Sequence, residues 1–201
     1  VVGRTDIYND KKLPAERKIS IVDWEDCEKV WKRYADKLAE AKRVLVVVGQ
    51  NVNFDEQSID LLGKLYKKCN CVFSIEHLSN IDCEGCVYTY PISEINGNSS
   101  LEKLVPDIVI SVGNNLSAYN LRPFLRRHYK EMENWLISLN IEVRDAYKCL
   151  TTIFETKFNN FLMRILELIP EESENNGEYM KSWESELSKI KIPEFDFSNM
   201  Y

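Results

Sequence analysis

Four sulfur atoms stand close together in this chain, in the pairs Cys69-x-Cys71 and Cys83-x-x-Cys86. Paired thiolates at such spacings suit structural zinc, and a C-x-x-C pair suits thiol–disulfide exchange. The first pair straddles the expected end of a helix and start of a strand, so its side chains need not converge. Cys71 reads better as a small buried apolar residue. With Cys27 and Cys149 elsewhere, six reduced thiols and no metal is the expectation.

Two glycines close apolar runs, in "GQNVN" from Gly49 and "GNNLSA" from Gly113. A dinucleotide site needs three glycines, for the tight turn, for phosphate approach and for helix–strand packing. Each loop supplies only the first, although Asn and Ser side chains with helix N-terminal amides could hold an anion. His77 follows another apolar run, and no Ser–His–Asp or metal-ligand spacing surrounds it. Arg122, Arg126, Arg127 and His128 close a helix, where positive charge complements the dipole. Arg122 and Arg126, one turn apart, could hold one carboxylate jointly. No nucleophile with its base is evident, so the residues alone do not disclose a reaction.

These groups are positioned by alternating strands and helices. "RVLVVVG", "CVFSI", "DIVISVG", "NWLISLN" and "LTTIF" are β-rich runs without polar alternation, typical of strands buried on both faces. Between them lie helical patterns. "WEDCEKVWKRYADKLAEA" is capped by Asp23 and buries a face of Trp24, Cys27, Val30, Trp31, Tyr34 and Leu38. "EQSIDLLGKLYKKC" is capped by Asp55, and a third helix runs from about Ser117 to His128. "KFNNFLMRILELI" stops at Pro170, and a last helix carries Trp183, Leu187 and Ile190. The stretch from Glu76 to Ser100 holds at most a short strand and a helical turn.

The fold class that follows is α/β: a doubly wound, mainly parallel Rossmann-like sheet of about five or six strands with helices on both faces. Ligands in such sheets lie beyond the strand carboxyl ends. That rule places Gly49–Gln50–Asn51, Glu76–His77–Leu78–Ser79 and Gly113–Asn114–Asn115 along one edge. Residues 1–20 read as an N-terminal linker, 21–170 as the Rossmann-like domain, and 171–201 as a linker and helix leading toward a further domain.

The 201 residues carry a net charge of −6, which argues against a nucleic-acid surface. No apolar run reaches the roughly 20 residues of a membrane span. The absent initiator Met and the aromatic-rich end "IPEFDFSNMY" suggest a piece of a larger, cytoplasmic protein.

Four quoted stretches, in this order, resemble the central domain of thiamine-diphosphate enzymes. They are "RVLVVVGQ", "EHLSN", "LVPDIVISVGNNLSAYNLRPFLRR" and "NWLISLNIEVRDAYKCLTTIFETKFNNFL", covering about residues 40 to 165. The pattern looks like the Bacteroides-type branch of the 2-succinyl-5-enolpyruvyl-6-hydroxy-3-cyclohexene-1-carboxylate synthases of menaquinone biosynthesis. The resemblance implies a three-domain parent, a homodimer or homotetramer. Its N-terminal domain carries the glutamate that activates the cofactor, and its C-terminal domain carries a Gly-Asp-Gly motif for Mg²⁺ and diphosphate.

No Gly-Asp-Gly occurs in this chain. The resemblance therefore implies a central domain with no catalytic residue and no cofactor-binding residue of its own, inactive alone. In the parent, 2-oxoglutarate is decarboxylated on thiamine diphosphate and the resulting acyl-anion equivalent adds to isochorismate. The family places a small residue and then Lys at the start of the helix after the third strand, facing the isochorismate carboxylates. Tyr119 and Asn120 stand there in this chain. A neutral Tyr hydrogen bond has about half the strength of a charge-assisted one. Ser117, Tyr119, Asn120 and Arg122 are the substrate contacts so implied, with Arg122 supplying charge. Two other readings compete: an FAD- or ADP-binding central domain of another thiamine-diphosphate enzyme, and a stand-alone Rossmann-like ligand-binding module.

Overall fold

The computed structural model describes residues 18–50, 54–96, 98–113, 119–139, 143 and 145–191. The apolar runs form a parallel sheet: β1 (Ser20–Asp23), β2 (Val44–Val48), β3 (Cys71–Ile75), β4 (Cys86–Tyr88), β5 (Ile108–Val112), β6 (Glu133–Ser138) and β7 (Leu150–Glu155). Its order is β1-β7-β6-β5-β2-β3-β4, with every pairing parallel. The chain winds from β2 outward to β4, returns to β5 beside β2, and winds the other way to β7. Leaving out β1, this is the strand order of doubly wound dinucleotide folds, and it reverses between β2 and β5.

Alternate side chains of each strand go to opposite faces. On one face Val44, Val46 and Val48 pack against α1 (Glu28–Glu40), α2 (Glu56–Lys68) and α6 (Phe158–Leu168). On the other, Leu45, Val47, Val72 and Val109 pack against α5 (Leu121–Arg127) and α7 (Glu178–Leu187). The excursion after β4 consists of α3 (Thr89–Pro91), a π-helical turn (Ile92–Asn96) and α4 (Asn98–Leu101). β2 and β3 are buried at every residue, which explains their unbroken apolar sequence.

Asp55 caps α2 as expected, accepting from the Ser58 amide at 2.8 Å. Two features differ from the sequence reading. The sheet has seven strands, because β1 adds an edge beside β7 with only Val22 buried. Helix α1 begins at Glu28, and Asp23 serves a turn instead: its carboxylate accepts from the Glu25 amide at 2.8 Å, while its own amide donates to Asp26 at 2.9 Å. Trp24 and Cys27 are consequently exposed. α7 is packed on this domain, burying Tyr179 and Trp183, and the Tyr179 hydroxyl donates to the Leu104 carbonyl at 2.9 Å. The terminal stretch 192–201 lies outside the described residues.

Candidate functional site at the strand carboxyl ends

The winding reverses between β2 and β5, the point at which doubly wound sheets have their ligand crevice, beyond the strand carboxyl ends. Backbone and side chains knit its floor. The Gly49 amide donates to the Val112 carbonyl at 2.9 Å, locking β2 to β5 at the last turn. Ser79 donates from Oγ to the Val48 carbonyl at 2.7 Å and accepts from the Glu76 amide at 2.9 Å. The "EHLS" loop is thereby folded back over the end of β2. Gly113, at φ +84°, turns the chain out of β5 in the left-handed region that favours glycine.

Four polar groups from separate segments meet beside this floor. Glu76, at the end of β3, is only 4 % exposed. Tyr147, in the loop before β7, is also buried, and burial pushes its hydroxyl up to about 12. The neighbouring Ser111 hydroxyl of β5 and the Arg122 charge pull the other way, whereas the Glu76 carboxylate adds to the rise. A phenol with that balance stays neutral near pH 7 and can donate a hydrogen bond. The set thus holds a guanidinium, a buried carboxylate and a neutral phenol. It suits recognition of a polar or anionic small molecule and contains no activated nucleophile.

The four residues singled out from the resemblance fare differently. Tyr119 is 78 % exposed at the turn into α5, with its ring in solvent. Asn120 is held from one side: its backbone amide and Nδ2 donate to the Glu94 carboxylate at 2.8 and 2.9 Å, and Nδ2 also lies 3.3 Å from the Ser93 carbonyl. Arg122 is half-buried and turned toward the Tyr147 region. Ser117, like Asn51, Asn114 and Asn115, lies outside the described residues. Arg126 does not join Arg122 in a carboxylate clamp, since its Nε and Nη2 donate to the Ala146 carbonyl at 3.1 and 2.8 Å.

The other candidates have structural surroundings. His77 is exposed beside the crevice. His128 sits between Glu102 and Glu131, 2.8 and 2.9 Å from their carboxylates. Cys69 and Cys71 are buried, and burial pushes the Cys69 thiol up to about 12. Among the described residues no three His, Cys, Asp or Glu side chains are grouped to hold a metal ion. An open depression of about 600 Å³ along the outer face of α1, lined by Lys29, Lys32, Arg33 and Asp36 among others, lies away from the strand carboxyl ends.

Glu94, Ser111 and Tyr147 were not legible as site residues. Glu94 lies 26 positions before its partner Asn120, in a π-helical turn that no sequence pattern marks. Ser111 and Tyr147 gain their positions only through the strand order. Its place at the end of an apolar run was the available signal for Glu76.

No protein-family model matches the chain. Among curated proteins it is similar to 2-succinyl-5-enolpyruvyl-6-hydroxy-3-cyclohexene-1-carboxylate synthases. The Bacteroides thetaiotaomicron protein is 29 % identical over 169 residues, 79 % of this chain and 28 % of that protein. The Porphyromonas gingivalis protein is 30 % identical over 170 residues, 82 % of this chain and 29 % of that protein. The Phocaeicola vulgatus protein is 26 % identical over 176 residues, 85 % of this chain and 30 % of that protein. The chain spans less than a third of the length of the curated relatives it matches. It is, by these matches, a homologue of one segment of the 2-succinyl-5-enolpyruvyl-6-hydroxy-3-cyclohexene-1-carboxylate synthases.

Proposed function

We propose that this chain is the central, substrate-facing domain of a thiamine-diphosphate-dependent synthase of menaquinone biosynthesis, and that it has no turnover alone. The observation that carries this reading is the match of about four-fifths of the chain to under a third of each synthase, over a segment that builds one doubly wound sheet. The parent reaction would decarboxylate 2-oxoglutarate and join the resulting four-carbon acyl unit to isochorismate.

The residues of this chain do not fit thiamine diphosphate with Mg²⁺. Gly49 and Gly113 are single glycines at the strand ends, too few to let a diphosphate approach the backbone closely, and the described residues group no metal ligands. The cofactor belongs in this reading to the parent's other two domains. The chain's own residues bind and orient. Arg122 supplies positive charge toward a substrate carboxylate, Tyr119 and Ser117 offer hydroxyls, and Asn120, clamped by Glu94, fixes the start of α5, which carries Arg122. The parent would be a cytoplasmic homodimer or homotetramer. Among the described residues no helix is long and apolar enough to cross a membrane.

The test is kinetic, in the full-length synthase. Arg122→Gln is expected to raise the isochorismate KM about tenfold, equivalent to about 1.4 kcal/mol, with the thiamine-diphosphate Kd unchanged. The isolated 201-residue chain is expected to bind no thiamine diphosphate and to show no turnover. Tight cofactor binding by the isolated chain, or an unchanged KM in the variant, overturns the assignment. A nucleotide reading has one observation in its favour, the dinucleotide-fold strand order with its crevice above Gly49. Saturable FAD or ADP binding by the chain would establish that alternative.

A further inference from the structure

The segment Cys83-Glu84-Gly85-Cys86 lies at the outer edge of the sheet and plays no part in the crevice above. Cys86 opens β4, and its amide donates to the Cys83 carbonyl at 3.2 Å, closing a turn. That turn brings the two sulfurs to 3.4 Å. Gly85 makes it possible: at φ +88° a side chain would be strained, and a Cβ would run into the Tyr66 ring. Both cysteines are half-buried, neither sealed in the core nor fully in solvent. Between them, exposed Glu84 borders an open depression of about 280 Å³ with Tyr66, Lys67 and Glu174, so solvent reaches the segment.

The two thiols are unlike each other. The two thiols share one hydrogen bond, which lowers the Cys86 thiol below its ordinary value and raises Cys83. One sulfur is thus the easier thiolate and the other keeps its proton, the division of labour that C-x-x-C exchange pairs use. Buried Cys69 and Cys71 have thiols raised by burial and are poor nucleophiles. Joining Cys83 to Cys86 needs the sulfurs to close from 3.4 Å to about 2.05 Å, a small movement for two side chains on one turn.

We propose that Cys83 and Cys86 form a thiol–disulfide couple that exchanges two electrons with small linear disulfides. The Cys86 thiolate attacks one sulfur of the oxidant R–S–S–R, whose S–S bond breaks to release RS⁻ and leave a Cys86–S–S–R mixed disulfide. Cys83 gives its proton to that RS⁻, and its own thiolate attacks the Cys86 sulfur. The Cys83–Cys86 bond forms, the second RS⁻ leaves, and it takes up the proton that Cys86 had lost. The protein dithiol is oxidised by two electrons and the oxidant is reduced to two RSH. A dithiol reductant reverses the sequence.

The full chain is reduced and equilibrated with graded ratios of oxidised to reduced glutathione, followed by thiol counting, intact mass and peptide mapping. Two of the six thiols are expected to disappear together, with a Cys83–Cys86 linked peptide and a mass lower by about 2 Da. Cys83→Ser is expected to accumulate a glutathione adduct on Cys86 that cannot resolve, and Cys86→Ser to react more slowly. A native-state measurement needs no variant: phenylarsine oxide, which bridges neighbouring thiols, should bind the reduced chain one to one. Adducts on Cys27 alone, a Cys71–Cys83 link, or no arsenical binding by the folded reduced chain would each overturn the proposal.

Discussion

Around β6 and β7 the molecule is built of interlocked rings, whereas beyond the carboxyl ends of β2, β3 and β5 it is built of polar side chains held by backbone. In the first region Trp31, Tyr34, Trp135, Phe154 and Phe161 meet at centroid distances of 4.8 to 6.2 Å, mostly tilted or edge-on. Such rings bury large apolar areas and tolerate little change in shape. In the second, Glu76, Ser79, Ser111, Asn120 and Arg122 come from separate segments and bury little apolar area, while Tyr147 joins the hydrophobic cluster beneath them. Stability is thus concentrated in one part of the sheet, leaving the crevice able to vary its side chains without unfolding the domain.

The strongest way to break this contrast is Phe154→Ala. Phe154 touches Trp31, Tyr34, Trp135 and Phe161 and is fully buried. Truncation is expected to cost about 3–5 kcal/mol in denaturant unfolding, from lost transfer energy and the cavity left behind. A loss under about 1 kcal/mol would mean that the ring cluster can collapse around the gap and is no special store of stability.

A second contrast concerns charge. Glu186 of α7 is buried, accepting from Lys189 at 2.5 Å and from Lys103 at 3.1 Å. The Lys189 hydrogen bond, foremost, together with contacts from Ser100 and Lys103, holds its carboxyl at about 2 against a normal 4.5, despite the opposing effect of burial. The folded value lies below the unfolded one. The resulting stabilisation is therefore present above about pH 4.5 and is lost as pH falls toward 2. Unfolding midpoints measured from pH 6 down to pH 2 should fall more steeply in the native chain than in Glu186→Gln. Parallel curves would show that α7 is held by Tyr179 and Trp183 alone.

How much of this was legible follows from where each residue's partners lie. β2, β3 and β5 announce themselves because strands buried on both faces must be apolar throughout. β1 does not: an edge strand with one buried side chain, Val22, leaves no run to detect. The start of α1 is hidden because Trp24 and Cys27 fall on the helical period, yet Asp23 and Asp26 satisfy local amides in a turn that competes with helix. The strand-end rule locates the crevice and Glu76, and Arg122 is reached through the helix it shares with Arg126 and through the resemblance. Glu94 and Tyr147 reach it through contacts distant in sequence, and only the assembled sheet brings them there.

The smallest expected stability effect gives the sharpest test of the crevice. Tyr119 is exposed at the turn before α5, so Tyr119→Ala should shift unfolding free energy by no more than about 0.5 kcal/mol. On the proposed reading its hydroxyl contacts substrate, and its chain neighbour Asn120 is held by the Glu94 clamp. In the proposed full-length synthase the same substitution should therefore raise the isochorismate KM several-fold while kcat and the unfolding midpoint stay put. Glu94→Gln is the informative partner, because it weakens the clamp without removing any proposed substrate contact. If Tyr119 acts by touching substrate, Glu94→Gln should raise KM less than Tyr119→Ala does, and hydrogen exchange should quicken at the Asn120 amide. If both variants leave KM unchanged, the crevice serves the fold alone, and the contrast between a packed half and a recognising edge fails at its polar end.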